Sequence, residues 1–188
     1  MLGPFVWDSE LNDGVKVTKK GHVLLQDGSY YEGEWNEEGQ KHGKGRQTWA
    51  DGGKYVGFWK NDKAEMKGRL MQSDGDVYEG RWEQGKAEGW GVYTHSDGSQ
   101  YDGPWKDDYK NGKGKENWPD GSRYEGEYVY GKKHGKGVFI WPDGSVYNGS
   151  FYENDLHGKG EYILKSWIKN LSAFLKSSMR LFFCDTSH

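Results

Sequence analysis

Histidine is the residue type of this 188-residue chain best suited to metal binding or to proton transfer near neutral pH. His42, His134 and His157 each stand directly before a Gly-x-Gly triplet, so they share one position in a repeating pattern. A recurring position is more readily explained by the local structure of a repeat than by a set of ligands. If each repeat adds two strands at about 4.8 Å, histidines of adjacent repeats lie about 10 Å apart, too far to share one ion. We therefore predict no metal site and no catalytic histidine.

The other candidates for chemistry, a phosphate-binding glycine motif and a cysteine nucleophile, are weak. The Gly-x-Gly triplets are followed by strand-type residues, not by the third glycine and the helix that a dinucleotide-binding turn requires. Cys184 is the single cysteine, which excludes an intrachain disulfide and a zinc cluster built on cysteines. Its nearest histidine in sequence is His188, so no nucleophile pair is expected. The sequence predicts no cofactor and a protein that is not an enzyme.

A repeat of about 23 residues organises the sequence and accounts for most of its 30 glycines. Each repeat has Asp-Gly, then Tyr-x-Gly, then Gly-x-Gly, as in "DGSRYEGEYVYGKKHGKG" from Asp120. The second repeat departs from the pattern, since Met66 replaces the first glycine of its triplet. The six repeat tyrosines are Tyr31, Tyr55, Tyr78, Tyr101, Tyr124 and Tyr147.

The elements that this repeat builds are β-hairpins. In "YEGEW" (31–35) the two rings and the glycine share one strand face, and the two glutamates share the other. Asp-Gly between such strands is a hairpin-turn signal. One hairpin cannot bury its rings alone, so neighbouring hairpins must stack. With 16% aromatic residues, the composition predicts an all-β fold: an elongated, twisted antiparallel sheet, or solenoid, of stacked hairpins around a core of rings.

The strand face opposite the rings is predicted to be the exposed one. Acidic residues occupy it on the Tyr-x-Gly strands and basic residues on the Gly-x-Gly strands, so ion pairs are expected across the sheet. This pattern lapses at Phe58 and Trp90, which we predict to point outward as partner-binding anchors. Isolated apolar residues on the surface are the alternative interpretation. Pro104 cannot donate a ladder hydrogen bond, so a bulge or an interruption is expected there.

The pattern of Tyr-x-Gly-x-Trp, Gly-x-Gly and Asp-Gly resembles the MORN (membrane occupation and recognition nexus) repeat. Residues 124–137, "YEGEYVYGKKHGKG", and 147–160, "YNGSFYENDLHGKG", carry it most fully, and the resemblance covers about residues 21–164. Similar arrays occur in radial-spoke head proteins of cilia, junctophilins, plant phosphatidylinositol-phosphate kinases, some lysine methyltransferases and apicomplexan cytoskeletal proteins. The resemblance implies a rod-like antiparallel sheet that acts as a scaffold or adaptor. Phospholipid binding has also been attached to the family.

Three segments are predicted: residues 1–20, an N-terminal segment with a degenerate half-repeat; 21–164, the array of about six repeats; and 165–188, a short amphipathic helical tail. Apolar tail residues at helical spacing are candidate partner-binding residues: Trp167, Ile168, Leu171, Phe174, Leu175, Met179 and Phe182. Basic residues off that stripe are candidates for contact with an anionic membrane: Lys165, Lys169, Lys176 and Arg180. Three roles stay open for the helix: to cap the sheet, to dock into a partner protein, or to lie on a membrane.

Charge and hydropathy narrow the choice of partners. Outside the tail the chain carries 22 basic and 28 acidic residues and its rings face the core, so nucleic-acid binding is not expected. A phosphoinositide site needs clustered Lys and Arg residues without flanking acids, and the array shows no such cluster. Any phospholipid contact is therefore assigned to the tail. Neither a signal peptide nor a stretch of about 18 apolar residues is visible, so a cytoplasmic protein is expected.

We therefore expect a non-enzymatic scaffold or adaptor that binds protein partners in a cytoskeletal assembly. Family analogy favours the axoneme of a cilium or flagellum, in the manner of radial-spoke proteins. A rigid sheet offers a broad surface at little ordering cost, and its open edges allow self-association. A phosphoinositide-associated peripheral membrane protein is the first alternative, and a regulatory repeat subunit of a kinase or methyltransferase is the second.

Overall fold

The computed structural model describes residues 3–7 and 11–165 and places fourteen β-strands in them. Consecutive strands form antiparallel hairpins, which confirms the predicted all-β fold of stacked hairpins. The predicted helical tail lies outside the described residues, apart from Lys165. Within the described ranges no helix has the length and apolar character needed to span a membrane.

The first of two compact units comprises the described residues up to 96 together with 106–108. Its strands pair in chain order, each with the next. The first strand begins at Thr18, three residues before the predicted start of the array. The seven strands are β1 (Thr18–Leu24), β2 (Tyr30–Trp35), β3 (Lys41–Thr48), β4 (Lys54–Lys60), β5 (Lys63–Met71), β6 (Val77–Glu83) and β7 (Lys86–Thr94).

The second compact unit comprises residues 97–105 and the described residues from 109 onward. Its first strand pairs with both the second and the third, and the rest pair in chain order. The strands are β8 (Gln100–Lys106), β9 (Tyr109–Lys110), β10 (Gly112–Asn117), β11 (Arg123–Val129), β12 (Lys132–Ile140), β13 (Val146–Tyr152) and β14 (Asp155–Ile163).

The Asp-Gly pairs form the turns between repeats, as predicted. In the first of them the backbone N–H of Leu25 donates to the Ser29 carbonyl at 2.8 Å, and Gly28 adopts a φ of +80° that a side chain would disfavour. The Asp27 carboxylate also accepts a hydrogen bond from the Ser29 N–H at 3.0 Å. Because the same Asp-to-backbone bond recurs in all six turns, the aspartates are turn residues and not a reactive set.

The core of each unit is a row of rings in edge-to-face contact. Each repeat tyrosine contacts the ring four residues later in its own repeat, and also the equivalent ring of the next repeat in the same unit. Centroid distances are 4.9–5.5 Å in the first unit, through Tyr31, Trp35, Trp59, Tyr55, Trp82 and Tyr78. They are 5.0–5.4 Å in the second, through Trp105, Tyr101, Tyr128, Tyr124, Phe151 and Tyr147. Such contacts add to the gain from area burial.

The repeat tyrosines also stabilise the backbone. The Tyr55 ring lies against Gly68, where a Cβ would overlap it. The Tyr55 hydroxyl donates to the Phe58 carbonyl at 3.1 Å, directly after a shift in the β4–β5 register between Gly57 and Phe58. The hydroxyl therefore gives the backbone a partner at a β-bulge. The bond to the residue three places later occurs in all six repeats, at 2.9–3.1 Å.

Two departures from the repeat have local consequences. Met66 has a φ of +56° at the bulge position where the other five repeats have glycine, so it holds a conformation unfavourable for an L side chain. Opposite Pro104, the strand returning from the turn is interrupted at Asn111, which separates β9 from β10. The Asn111 N–H donates instead to the Pro104 carbonyl at 2.9 Å. The predicted interruption at Pro104 is confirmed.

Candidate protein-interaction surfaces

The sheet face opposite the rings carries charged residues that pair between strands. Arg69 on β5 contacts Glu79 on β6 through two of its nitrogens, at 2.6 and 2.7 Å. Lys115 on β10 contacts Glu125 on β11 at 3.3 Å. The predicted pairing of opposite charges is confirmed at these positions. The Lys115–Glu125 pair is exposed, and such pairs contribute little to stability, whereas Arg69 is buried.

The predicted exposure of Phe58 is wrong. Phe58 lies on the expected strand face, but its side chain is 0% exposed. Residues 3–7 and 11–17, named here the N-terminal strap, cross this face. The Trp7 ring meets Phe58 edge-on, with 5.4 Å between the ring centroids. Val56, on the same face of β4, is also buried. A partner therefore reaches Phe58 only after the strap has moved.

The first part of the strap is held by a carbonyl group and by cations. The Gly3 carbonyl accepts a hydrogen bond from the Arg69 guanidinium at 2.7 Å. The Phe5 ring packs edge-on against Trp7, with centroids 4.9 Å apart. The Lys67 ammonium and the Arg69 guanidinium lie 5.7 and 5.8 Å from the Phe5 centroid, within the range of cation–π attraction.

The second part of the strap is held by His42. Its Nε2 lies 3.1 Å from the Asp13 carboxylate and its Nδ1 lies 3.1 Å from the Asn61 side-chain oxygen. The Asp13 carboxylate is also 3.8 Å from the Lys60 ammonium. Partial burial pushes the pKa of Asp13 upward, but the Val15 N–H and the nearby His42 outweigh it and hold that pKa below its usual value. Asp13 is therefore a charged anchor for the strap.

The three recurring histidines do not share one environment. His42 is buried under the strap, whereas His134 and His157 contact the Tyr152 ring, at centroid distances of 5.2 and 5.6 Å. In the part of the chain that the structure describes, no three His, Cys, Asp or Glu side chains are grouped as a metal ion would require.

Two further candidates from the sequence, Trp90 and Lys165, lie within the described residues and are exposed. Trp90 on β7 is 61% exposed, as expected, and its role in binding stays a prediction. Lys165 is exposed, and its backbone N–H lies 3.5 Å from the Ser145 hydroxyl. The other tail candidates lie outside the described residues: Trp167, Ile168, Lys169, Leu171, Phe174, Leu175, Lys176, Met179, Arg180 and Phe182.

A row of exposed tyrosines at the hairpin turns of the second unit is a surface that the sequence analysis missed. Tyr109, Tyr130 and Tyr152 are 52%, 74% and 53% exposed, and we name them the turn-edge patch. The Tyr109 and Tyr130 rings are 6.1 Å apart between centroids. Adjacent turns are joined by backbone hydrogen bonds. The Gly131 N–H donates to the Lys110 carbonyl at 2.9 Å, and the Asn154 N–H donates to the Lys133 carbonyl at 3.0 Å. The three rings therefore lie along one row of turns.

A sequence signal for this patch exists at the repeat level. Tyr130 follows its repeat tyrosine by six residues, where the second, third and fourth repeats carry Asn61, Gln84 and Asp107. Tyr152 and Tyr109 likewise stand where most other repeats have a charged residue. These tyrosines, which replace polar residues at the hairpin turns, were overlooked because the prediction considered strand faces only.

Glu116 is the centre of a buried polar cluster in the second unit. It contacts the Lys110 ammonium at 2.6 Å and the Lys133 ammonium at 3.3 Å, and it accepts a hydrogen bond from the Tyr128 hydroxyl at 2.9 Å. Burial alone would raise the pKa of Glu116, but Lys110, Lys133 and Tyr128 together hold it below the usual value. Each partner belongs to a different strand or turn of the stacked hairpins, so the cluster is structural.

Asp76 forms a second polar cluster, in the first unit. Its carboxylate accepts hydrogen bonds from the Tyr93 hydroxyl at 2.7 Å and the Ser96 N–H at 2.8 Å, and it lies 3.0 Å from His95 Nδ1. The Tyr93 hydroxyl and the Ser96 N–H are the main causes that lower the pKa of Asp76 to about 2. These bonds tie one turn to the next, so Asp76 has a structural role as well.

Comparison with protein-family models finds six consecutive MORN repeats, at residues 31–54, 55–77, 78–100, 101–123, 124–146 and 147–168. Comparison with curated protein sequences finds no match. Among solved structures, the chain is similar to the TCP domain of SAS-4 (dCPAP) of Drosophila melanogaster in complex with a proline-rich motif of Ana2, at 16% identity over 88% of this chain and 80% of that chain, with a TM-score of 0.38. It is also similar to the TCP10 domain of Danio rerio CPAP, at 15% identity over 83% and 88%, with a TM-score of 0.34. With TM-scores below 0.5, these likenesses carry no information on the partners or activity of this chain.

Proposed function

The chain belongs to the MORN repeat family, and from that premise we propose that it is a non-enzymatic scaffold that binds protein partners in a cytoskeletal assembly. The assembly we propose is the axoneme of a cilium or flagellum, in the manner of radial-spoke proteins, by analogy with other members of the family. The Asp-Gly aspartates and the repeat glycines have structural roles in the turns and bulges, and His42 holds the N-terminal strap. That distribution of roles supports a binding function.

The turn-edge patch is the observation that carries this proposal. The three aromatic side chains of the patch are 52–74% exposed and are not part of the buried rows of rings that form the core. Tyrosine is enriched at protein interfaces because its ring buries a large area and its hydroxyl stays hydrogen-bonded at the rim. At the equivalent turns of the first unit the chain exposes polar residues, namely Asn61 and Gln84. The contrast between the units favours a protein partner on the turns of the second.

Substitution of the patch tests its role in binding. Tyr130→Asn keeps a residue that tolerates the φ of +48° found there, and Tyr152→Ser removes the neighbouring ring. We expect this double variant of the full chain to lose partner proteins that co-purify with the wild type from cells. The matched control is Tyr30→Ser, which removes a tyrosine that is 51% exposed in the first unit. Partner sets that do not differ between the double variant and the wild type would contradict the proposal.

The cytoskeletal part of the proposal has its own test. The tagged chain is expected to stay with axonemes after the membrane has been removed with non-ionic detergent, and to leave them only in high salt, which weakens contacts between charged surfaces. Complete release by detergent alone would refute an axonemal location.

The alternative of a phosphoinositide-associated protein rests on the basic residues of the tail: Lys165, Lys169, Lys176 and Arg180. The array itself pairs its basic residues with acids, as at Arg69 and Glu79, which does not favour an anionic lipid. Flotation with vesicles containing phosphatidylinositol bisphosphate tests this alternative. Binding that survives replacement of the four basic residues by glutamine would rule out the tail as the lipid contact.

A further inference from the structure

The outer face of β4 carries an apolar pair that the other repeats lack. The outward residues of each Tyr-x-Gly strand follow the repeat tyrosine by one and three places. On β4 they are Val56 and Phe58, whereas the other five strands place polar, charged or proline residues there: Glu32 and Glu34, Glu79 and Arg81, Asp102 and Pro104, Glu125 and Glu127, and Asn148 and Ser150. Val56 and Phe58 lie on the face opposite the core rings, so the repeat fold itself does not need them.

The N-terminal strap covers this pair incompletely. Trp7 contacts Phe58, yet Trp7 itself is 40% exposed. A cleft remains beside the Trp7 ring, lined by Glu32, Lys44, Arg46 and Val56. A core side chain is normally packed without such a gap. The strap therefore lies on the surface of the sheet as a separable segment and is not part of its core.

The strap is attached by few bonds. None of its described residues belongs to a strand, and β1 begins only after it, at Thr18. Its polar contacts with the rest of the unit include the Gly3 carbonyl on Arg69, the Asp13 carboxylate on His42 and Lys60, and an exposed ion pair of Lys16 with Glu37. A segment that lacks ladder hydrogen bonds opens at a lower free-energy cost than a strand of the sheet.

We propose that the outer face of β3–β5 is a recognition site for an extended peptide that presents two alternate aromatic side chains followed by a carboxylate, and that the N-terminal strap is its intramolecular occupant, which a segment of a partner protein displaces. This site is separate from the turn-edge patch and does not depend on it.

The chemistry of the ligand is read from the occupant and from the groups that hold it. Phe5 and Trp7 are two residues apart, so in an extended chain both side chains point to the same side, toward the sheet. The cations that lie near their rings, Lys44, Lys67 and Arg69, favour aromatic rings through cation–π attraction. The other end of the site presents a buried imidazole with one nitrogen directed at a carboxylate.

The Lys60 ammonium and the His42 imidazole also explain why the ligand should be acidic at that end. The Lys60 ammonium lies 3.8 Å from the Asp13 carboxylate, and a neutral or basic residue there would leave it without that anion. The Nε2 of His42 would lose its partner at 3.1 Å. The recurrence of histidine at this repeat position supplies the imidazole. The strap buries the histidine of the first repeat, His42, which therefore belongs to the proposed binding site. The equivalent His157 is exposed.

Competition between the strap and a peptide in trans tests the proposal. The probe is a fluorescent synthetic peptide of residues 1–17, and the proteins are the full chain and its strap-opened variant F5S/W7S/D13S. In the wild type the peptide must displace the strap, so its apparent affinity is reduced by the small fraction of chains with an open site. We expect the strap-opened variant to bind the peptide at least about tenfold more tightly than the wild type.

Two further variants make the result specific. Phe58→Ser in the strap-opened background is expected to abolish peptide binding, since Phe58 is the surface that Trp7 covers. Leu24→Ser in the same background is the matched control, because Leu24 is a 62% exposed apolar residue elsewhere in the first unit, and it is expected to leave binding unchanged. Circular dichroism and the unfolding midpoint establish that each variant is folded; if the triple variant is not, W7S alone is used, with the same expected direction.

Three results would overturn the proposal. The first is equal binding of the peptide by the wild type and the strap-opened variant. The second is binding that persists after Phe58→Ser. The third is dimerisation of the wild type with rising concentration that W7S abolishes, since the occupant would then be the strap of a second copy and not a partner protein.

Discussion

Replacement of Tyr55 by phenylalanine isolates the role of the recurring hydroxyl. The ring and its contacts with Trp59 and Trp82, at 4.9 and 5.4 Å, are kept. The hydrogen bond to the Phe58 carbonyl is lost, and both groups are buried. A buried acceptor left without its donor costs about 1–2 kcal/mol. We expect Tyr55→Phe to lower the free energy of unfolding by that amount, which is large for a change of one oxygen atom.

Urea denaturation followed by tryptophan fluorescence measures this loss. With a urea dependence of about 2 kcal/mol per molar, the midpoint should fall by roughly 0.5–1 M while the slope stays unchanged. The matched control is Tyr30→Phe, because Tyr30 lies on β2 and its side chain is half exposed. If Tyr55→Phe were as stable as Tyr30→Phe, the hydroxyl would not be what holds the bulge, and the reasoning would be refuted.

Three other predictions concern single positions. Met66→Gly should raise stability by up to about 1 kcal/mol, because glycine accepts the positive φ without strain, and a thermal midpoint that does not rise would count against this account of the bulge. Glu116→Ala should cost about 3 kcal/mol in urea denaturation, since it leaves Lys110 and Lys133 without their anion, whereas Glu116→Gln should cost less; equal losses would argue against a charge effect. Asp76 has a pKa of about 2, below its usual 3.8, so its stabilisation is present above about pH 4 and is lost as the pH falls toward 2. After allowance for solvent screening the loss is about 1 kcal/mol, and Asp76→Asn should lack this part of the pH dependence of the unfolding midpoint.

The fold was predictable because the same strand and turn signals occur in all six repeats. Tyr-x-Gly marks a strand whose ring needs a glycine opposite it, and Asp-Gly marks a turn whose aspartate bonds to the backbone two residues later. These are local interactions, so sequence spacing alone reveals them. The interruption at Pro104 was predictable for the same reason, since a missing N–H affects only its own ladder.

The surfaces were less predictable because they depend on contacts that no periodicity records. The strap reaches Arg69 from Gly3, across 66 positions of the chain, and nothing in its own sequence repeats. Phe58 was therefore expected to be exposed, although Trp7 covers it. The turn-edge patch was not predicted for another reason. Tyr130 lies in a turn, where the alternation of inward and outward residues that governs strands does not apply.

Proximity labelling in cells, with the labelling enzyme fused to the full chain, tests the central claim that this protein is a scaffold whose partners bind the turn-edge patch. Wild type, the Tyr130→Asn and Tyr152→Ser double variant, and the Tyr30→Ser control are compared at equal expression. We predict that a discrete group of cytoskeletal proteins is labelled by the wild type and the control and is lost with the double variant. The same labelled proteins with all three chains would contradict the claim.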